Sequence, residues 1–304
     1  MHHGWAEQLS GSWSKLRRTG FETVFANDIR VGAKAAWERY FGRQDVYHLG
    51  SVVDLLSDMG GQKIPTSVDV VTGGFPCQDF SVAGSRKGFA SSKDHYGNQN
   101  FGDASGISRG QLYLAMRDVV SIAKPKVFVA ENVKGLTSLG NAKATIERDF
   151  ALAADGGYIV IPAQVLQAAN YGVPQSRERV IFYGFRRSAL RPEAISAFMD
   201  LGNNPDYNPY PLPTHAYSAS GHYLLPFVTA EEALAGLDEP DKTDDEAQKK
   251  YSHAKYLCGK QGNTEIKLKS VAPTIRSEHH GNIEYRRLSA DNGGEHAEEL
   301  AQGL

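Results

Sequence analysis

The chain has 304 residues, enough for one large domain or two unequal ones with a core that needs no covalent staples. Its 33 Lys and Arg against 35 Asp and Glu leave a net charge of −2, which excludes a globally basic nucleic-acid binder but not a local basic face. Charged residues at 22% and hydrophobic residues at 41% exclude a disordered chain. The only cysteines are Cys77 and Cys258, too few for a disulfide scaffold or a four-thiolate zinc site. No apolar run approaches the ~18 residues that span a bilayer. The Met1-His2-His3-Gly4-Trp5 start lacks a charged-then-apolar signal pattern. A reducing cytoplasm, in which Cys77 stays a thiol, is therefore expected.

Short β-branched runs alternate with helical patterns through the first two-thirds of the chain. A helix is expected from Trp5 to Arg18, a strand from Phe21 to Ala26 and a helix from Arg30 to Tyr40. Val68 to Thr72 is nearly all apolar, as in a parallel strand covered on both faces. Gln111 to Ala123 reads as a helix, Val127 to Ala130 as a buried strand, and Ala142 to Ala154 as a helix stopped by Gly156-Gly157. Tyr158 to Val165 and Arg179 to Tyr183 are further strands. This βαβ alternation predicts a doubly wound α/β sheet.

Two stretches interrupt it. Ser85 to Gly110 is rich in Gly, Ser and Asn and reads as a long functional loop. After Arg187 the alternation stops. Asn203 to Pro213 is a Pro/Asn-rich connector, Asp238 to Asp245 an acidic linker, and Tyr251 to Arg287 turns basic. The domains expected are 1–187, catalytic, and 188–304, a loop-rich recognition region.

Three blocks carry chemistry. Gly73-Gly74-Phe75-Pro76-Cys77-Gln78-Asp79-Phe80-Ser81 presents a cysteine directly after a buried strand, at the carboxyl edge where open sheets bind ligands. A lone cysteine is more often a small buried residue, but its place at a strand end between glycines and Gln favours a nucleophile. Val129-Ala130-Glu131-Asn132-Val133 ends a second strand in a carboxylate, which with the thiol makes a nucleophile and acid pair. Gln175-Ser176-Arg177-Glu178-Arg179 precedes a third strand. Its arginines alternate with a glutamate, so on an extended backbone both point the same way. The plainer reading of this block is a surface ladder of ion pairs.

In this order the three blocks resemble the cytosine-C5 DNA methyltransferases, which carry Pro-Cys-Gln, Glu-Asn-Val and Gln-x-Arg-x-Arg on a Rossmann-like sheet. The likeness extends from about Gly4 to Leu288 and includes Ser108 to Tyr113 and Ala169 to Pro174. It implies that Cys77 attacks C6 of a flipped cytosine, that Glu131 bonds N3 and the exocyclic amine, and that Arg177 and Arg179 hold O2 and its surroundings. It implies S-adenosylmethionine as cofactor, with Gly4, Asp28, Ile29, Ser51, Val52, Pro76 and Leu112 as its contacts. Asp28 would take the ribose hydroxyls and Ile29 would pack on the adenine. It also implies double-stranded DNA as partner, contacted by Gln78, Ser81, Arg86, Lys87, Gln175 and Arg276. No metal and no membrane are implied. A cognate restriction endonuclease or a complementing chain is a further expected partner.

Against the family's pattern, the opening strand and most of the glycine-rich first motif would precede Gly4, Ser51 stands where an acidic residue is common, and the final Gly-Asn-x-Val motif would follow Leu304. The expectation is a methyltransferase lacking pieces at both ends, a fragment or half of a split enzyme, that binds the cofactor weakly by itself. Two alternatives stay open: a tRNA cytosine-C5 methyltransferase with the same site, and an inactive nucleic-acid-binding fragment.

Overall fold

A computed structural model of the chain describes residues 20–75, 112–217, 224–236, 243–246 and 267–275. The expected first helix, the long glycine-rich loop and most of the basic stretch lie outside the described residues.

The first ladder is short. Strand β1 (Ala26–Asp28) pairs in parallel with β2 (Tyr47–Leu49) across helix α1 (Val31–Phe41). The strand expected from Phe21 to Ala26 is displaced towards the carboxyl end. Its first residues are held by a side chain instead of a ladder: Arg43 Nη1 donates to the Thr23 carbonyl at 3.1 Å and approaches Glu22 Oε1 at 3.5 Å. The three-residue β2 was too short to register as a periodic run. Helix α2 (Val52–Ser57) follows directly, capped by Ser51.

The main sheet has the order β3-β4-β6-β5, built from β3 (Val70–Gly74), β4 (Val127–Val133), β5 (Tyr158–Gln167) and β6 (Glu178–Arg186). Strands β3 and β4 are parallel, joined through helix α3 (Leu112–Ala123). Strand β6 is antiparallel to both β4 and β5. The sheet is therefore mixed, not wholly parallel as the alternation suggested. The cause is the link from β5 to β6, a single 3-10 turn at Ala168–Tyr171 with no crossover helix, so the chain returns antiparallel and slots between β5 and β4.

Strand β3 also departs from expectation. It pairs with β4 alone among the described residues, and Thr72 and Gly74 are exposed. Its apolar run serves one packed face: Val71 packs in a cluster with Leu55 of α2 and Ala123 of α3.

Helices α3 and α4 (Ala142–Ala151) cover one face of the main sheet. There the Phe128 ring packs tilted against Phe150 at 4.8 Å and edge-to-face against Tyr158 at 5.3 Å, all fully buried. Gly184 sits opposite Phe128 in the ladder, and a Cβ there would lie 1.9 Å from the Phe128 ring. The glycine is what lets the ring lie across β6. The other face is closed by Tyr210 and by helix α5 (Pro192–Met199), with Ile159, Ile161, Tyr183 and Phe185 beneath them. Two two-residue strands, β7 (His215–Ala216) and β8 (Leu225–Pro226), and a short helix α6 (Ala230–Leu234) with a Thr229–Glu232 capping box follow. No described helix is long and apolar enough to cross a membrane.

Candidate active site

The carboxyl ends of β3 and β4 meet the start of β6, and this is where the three motif blocks touch, the first through Gly74 and Phe75. Strand β4 continues three residues beyond the predicted Ala130, so Glu131 lies within the ladder and not at its end. It pairs with Gly74 on one side and Ile181 on the other. Arg179 sits opposite Val133, two positions from Ile181, so Glu131 and Arg179 are diagonal neighbours on one face. Long side chains bridge that gap: Arg179 Nε lies 2.6 Å from Glu131 Oε1. Arg179 Nη1 donates to the Glu178 carbonyl at 2.8 Å, so the guanidinium meets the carboxylate through its Nε side. The side chains are 22% and 41% exposed, open enough for a ligand to reach the pair.

Gly74 gives the second carboxylate oxygen its room. A Cβ on Gly74 would stand 3.2 Å from Glu131 Oε2, closer than ordinary van der Waals contact. Its backbone is not in the left-handed region, so the glycine is needed for space and not for conformation.

Asn132, next to Glu131, points the other way and is 1% exposed. Its Nδ2 donates to the Phe75 carbonyl at 3.0 Å, and its Oδ1 accepts from Val133 N at 2.8 Å. One buried amide thus fixes the end of β3 against β4, immediately before Pro76 and Cys77. A buried polar side chain with both its groups satisfied rigidifies its surroundings. Cys77 itself lies outside the described residues, as do Gly4, Pro76, Gln78, Ser81, Arg86, Lys87 and Arg276.

In the third block Glu178 faces away from Arg179 and pairs with Lys134 at 2.8 Å, both exposed. The plain ion-pair reading therefore fits Glu178, while Arg179 turns to the carboxylate of the second block. Arg177 precedes β6, its backbone N–H held by Gln167 Oε1 at 2.6 Å. Gln175 bridges to Ala272.

Of the residues expected to meet the cofactor, Asp28, Ile29, Ser51 and Val52 lie at the carboxyl ends of β1 and β2. Asn27 Nδ2 donates to the His48 and Gly50 carbonyls at 3.0 and 2.9 Å, and Gly50 N donates to the Asp28 carbonyl at 3.0 Å. These bonds draw Asp28 and Ser51 to one edge. Asp28 Oδ1 accepts from Arg30 N at 2.7 Å, and Ile29 is 46% exposed, unusual for an isoleucine. Ser51 is buried, and its hydroxyl accepts from Val53 N at 3.2 Å, so it is engaged as a helix cap. Val52 and Leu112 open α2 and α3 respectively, Leu112 buried. A carboxylate beside an exposed apolar side chain suits a ribose diol and an adenine ring, so these residues fit a nucleoside group. Among the described residues no cluster of metal-ligating side chains occurs.

Sequence reasoning assigned no role to Asn132 or Gln167, and gave Gly73 and Gly74 only that of letting a substrate approach the backbone. Asn132 stood inside a quoted motif, but no periodicity separates a buried amide from a surface one.

A family model described as C-5 cytosine-specific DNA methylase matches residues 11–292. The type II methyltransferase M.NgoFVII of Neisseria gonorrhoeae is 34% identical over 224 residues, 74% of this chain and 50% of that protein. M.BspRI of Lysinibacillus sphaericus is 34% identical over 220 residues, 71% of this chain and 41% of that protein. M.XorII of Xanthomonas oryzae pv. oryzae is 33% identical over 252 residues, 81% of this chain and 50% of that protein. The chain spans half or less of the length of these relatives.

Proposed function

The chain belongs to the family of C-5 cytosine-specific DNA methylases, and we propose that it transfers a methyl group from S-adenosylmethionine to C5 of cytosine in double-stranded DNA, within a bacterial or phage restriction-modification system. The observation that carries this reading is the Arg179–Glu131 pair at 2.6 Å, placed beside a β3 terminus that Asn132 fixes two residues before Cys77 in the sequence. A nucleophile, an acidic group and a cation are what activation of C6 of a pyrimidine requires.

In this proposal the Cys77 thiolate adds to C6 of a cytosine turned out of the helix, forming a C–S bond. The displaced electron pair makes C5 nucleophilic, with charge spreading to N3 and O2. Glu131 meets N3 and the exocyclic amine, with Oε2 lying over Gly74 and Oε1 steadied by Arg179. Arg179 and Arg177 counter the charge near O2. S-adenosylmethionine supplies the methyl group that C5 takes up. Loss of the C5 proton to a base then drives the electron pair back, breaks the C–S bond and frees the thiolate. Asp28 would hold the ribose hydroxyls and Ile29 the adenine face, with Gly4, Val52, Pro76 and Leu112 nearby. Ser51 serves the same edge through its cap. Gln78, Ser81, Arg86, Lys87, Gln175 and Arg276 are proposed DNA contacts, and residues 188–304 the recognition region.

The test is transfer of labelled methyl from S-adenosylmethionine to unmethylated plasmid DNA and, in parallel, to tRNA. Transfer to DNA that Cys77→Ser abolishes is expected. Transfer to tRNA alone would assign the RNA substrate instead, and DNA binding without any transfer would mark an inactive binding chain.

A further inference from the structure

The turn that leads into β6 is held from two directions. On one side stands Gln167, the last residue of β5. Its Oε1 accepts from Arg177 N at 2.6 Å and its Nε2 donates to Ser176 Oγ at 3.3 Å. Ala168 N adds a bond to the Arg177 carbonyl at 2.9 Å. On the other side stands the segment 271–275. Ser176 N donates to the Ala272 carbonyl at 2.7 Å, Ala272 N to the Pro174 carbonyl at 3.1 Å, and the Thr274 hydroxyl to the Ser176 carbonyl. The same segment is moored at its start to α6, where Ala230 N donates to the Ser270 carbonyl at 2.8 Å and Glu231 N to the Leu268 carbonyl at 3.0 Å.

A continuous path of hydrogen bonds therefore runs from α6, through 268–274, to Ser176 and Gln167, and ends on the backbone of Arg177. Arg179 lies two residues further along an extended strand, where successive side chains alternate faces and a shift of the backbone carries the guanidinium with it. We propose that Gln167 and Thr274 are positioning residues, and that through them the 268–274 segment of the recognition region sets where Arg177 and Arg179 stand against the reacting base. This inference rests on the function proposed above for the two arginines. Neither Gln167 nor Thr274 touches the base in this scheme. Thr274 belongs to a segment distant in sequence from Ser176, so a change of seating in the recognition region reaches the arginines without passing through the sheet. Misplacement of a catalytic group by about 1 Å costs on the order of a hundredfold in rate.

The experiment uses the full 304-residue chain carrying Gln167→Leu, Gln167→Glu, Thr274→Val or Thr274→Ser. Three quantities are read: hydrogen exchange at the Arg177 amide, steady-state methyl transfer to unmethylated plasmid DNA, and the thermal midpoint. Gln167→Leu and Thr274→Val are expected to speed exchange at the Arg177 amide and to lower kcat by about tenfold to a hundredfold, with KM for DNA within about twofold of wild type. Thr274→Ser keeps the hydroxyl and Gln167→Glu keeps the acceptor for Arg177 N, so both should recover most of the rate and the protection. The proposal is overturned if Thr274→Val and Gln167→Leu leave exchange and kcat unchanged, if KM alone rises, or if Thr274→Ser behaves like Thr274→Val. If the variants show the exchange responses but the wild-type chain transfers no methyl group, the proposed function is contradicted and the tether stands.

Discussion

Arg179 Nε lies 2.6 Å from Glu131 Oε1, across the β4–β6 ladder and two residues off register. The contact needs both strands: the parallel pairing that sets Glu131 beside Gly74, and the antiparallel return that brings the third motif back to the second. Because the pair is partly exposed, its contribution to folding is small, on the order of 1 kcal/mol or less. In the proposed mechanism its contribution to turnover is larger. Glu131→Gln is expected to slow methyl transfer by about 10²-fold, the range for losing a general acid. Its urea midpoint should remain near wild type. Arg179→Lys keeps the charge but loses the Nε contact that fixes the carboxylate, and should slow transfer by about tenfold. A Glu131→Gln chain that unfolds, with no separate loss in rate, would assign Glu131 a purely structural role.

Gly74 and Gly73 make a paired comparison. A methyl group on Gly74 meets the mobile carboxylate oxygen of Glu131 at 3.2 Å, whereas one on Gly73 meets Met116 Sδ of α3 at 3.1 Å. Gly74→Ala should leave the thermal midpoint almost unchanged and cut methyl transfer severalfold by pushing the carboxylate aside. Gly73→Ala should disturb the packing of α3 and lower the midpoint more than the rate. The reverse pattern would place the reacting carboxylate elsewhere.

The succession of strands and helices from Val68 to Tyr183 was legible because it depends on a local signal, apolar runs; motif spacing singled out Glu131, Arg177 and Arg179, of which the structure brings Glu131 and Arg179 into contact. The direction of β6 was not legible, because periodicity reports a strand without its sense; only the absence of a helix between Gln167 and Glu178 hinted at a return. The extension of β4 past Ala130 was masked by the polar residues Glu131 and Asn132, which sequence reading treats as the end of a buried strand. Asn132 is buried for a reason invisible in one dimension, a carbonyl at Phe75 that only tertiary structure brings near. The cofactor edge was half legible. Asp28 was named from its place after a strand, but the cap that engages Ser51 and the amide of Asn27 that draws the two strand ends together depend on β2, which was not foreseen.

Asn132→Leu replaces the amide with an apolar side chain of similar shape and leaves the Phe75 carbonyl without its partner. The loss should cost about 1–3 kcal/mol in chemical denaturation. It should also slow covalent addition by Cys77 more than it weakens DNA binding, since the bond anchors the backbone just before Pro76. Equal addition rates in Asn132→Leu and wild type would show that this anchor does not matter to the thiol.

Tyr158 links stability to alkaline pH. Its hydroxyl donates to the Pro125 carbonyl at 2.9 Å, and burial raises the phenol from 10.0 to about 12. The folded chain thus favours the neutral phenol. That stability is complete below about pH 10 and is lost as the pH rises towards 12, where the unfolded chain ionises first. Tyr113, also raised to about 12 by burial and by its bond to Asp149, adds to the same decline. Tyr158→Phe should cost about 1 kcal/mol at neutral pH and show a shallower loss of stability between pH 10 and 12. An unchanged alkaline slope would contradict the assignment.

The proposed function turns on the covalent reaction of Cys77 with a cytosine in DNA, supported by Glu131 and Arg179. It is tested most directly by incubating the chain with S-adenosylmethionine and duplex DNA copied from a mixed-sequence template with 5-fluorocytosine in place of cytosine. Fluorine cannot leave C5 as a cation, so the C–S bond cannot be broken by the normal elimination and the protein stays on the DNA through denaturation. A denaturation-resistant adduct whose DNA-bearing peptide contains Cys77 is expected, absent in Cys77→Ser and formed much more slowly in Glu131→Gln. An adduct that persists in Cys77→Ser and disappears in Cys258→Ser would contradict the proposal.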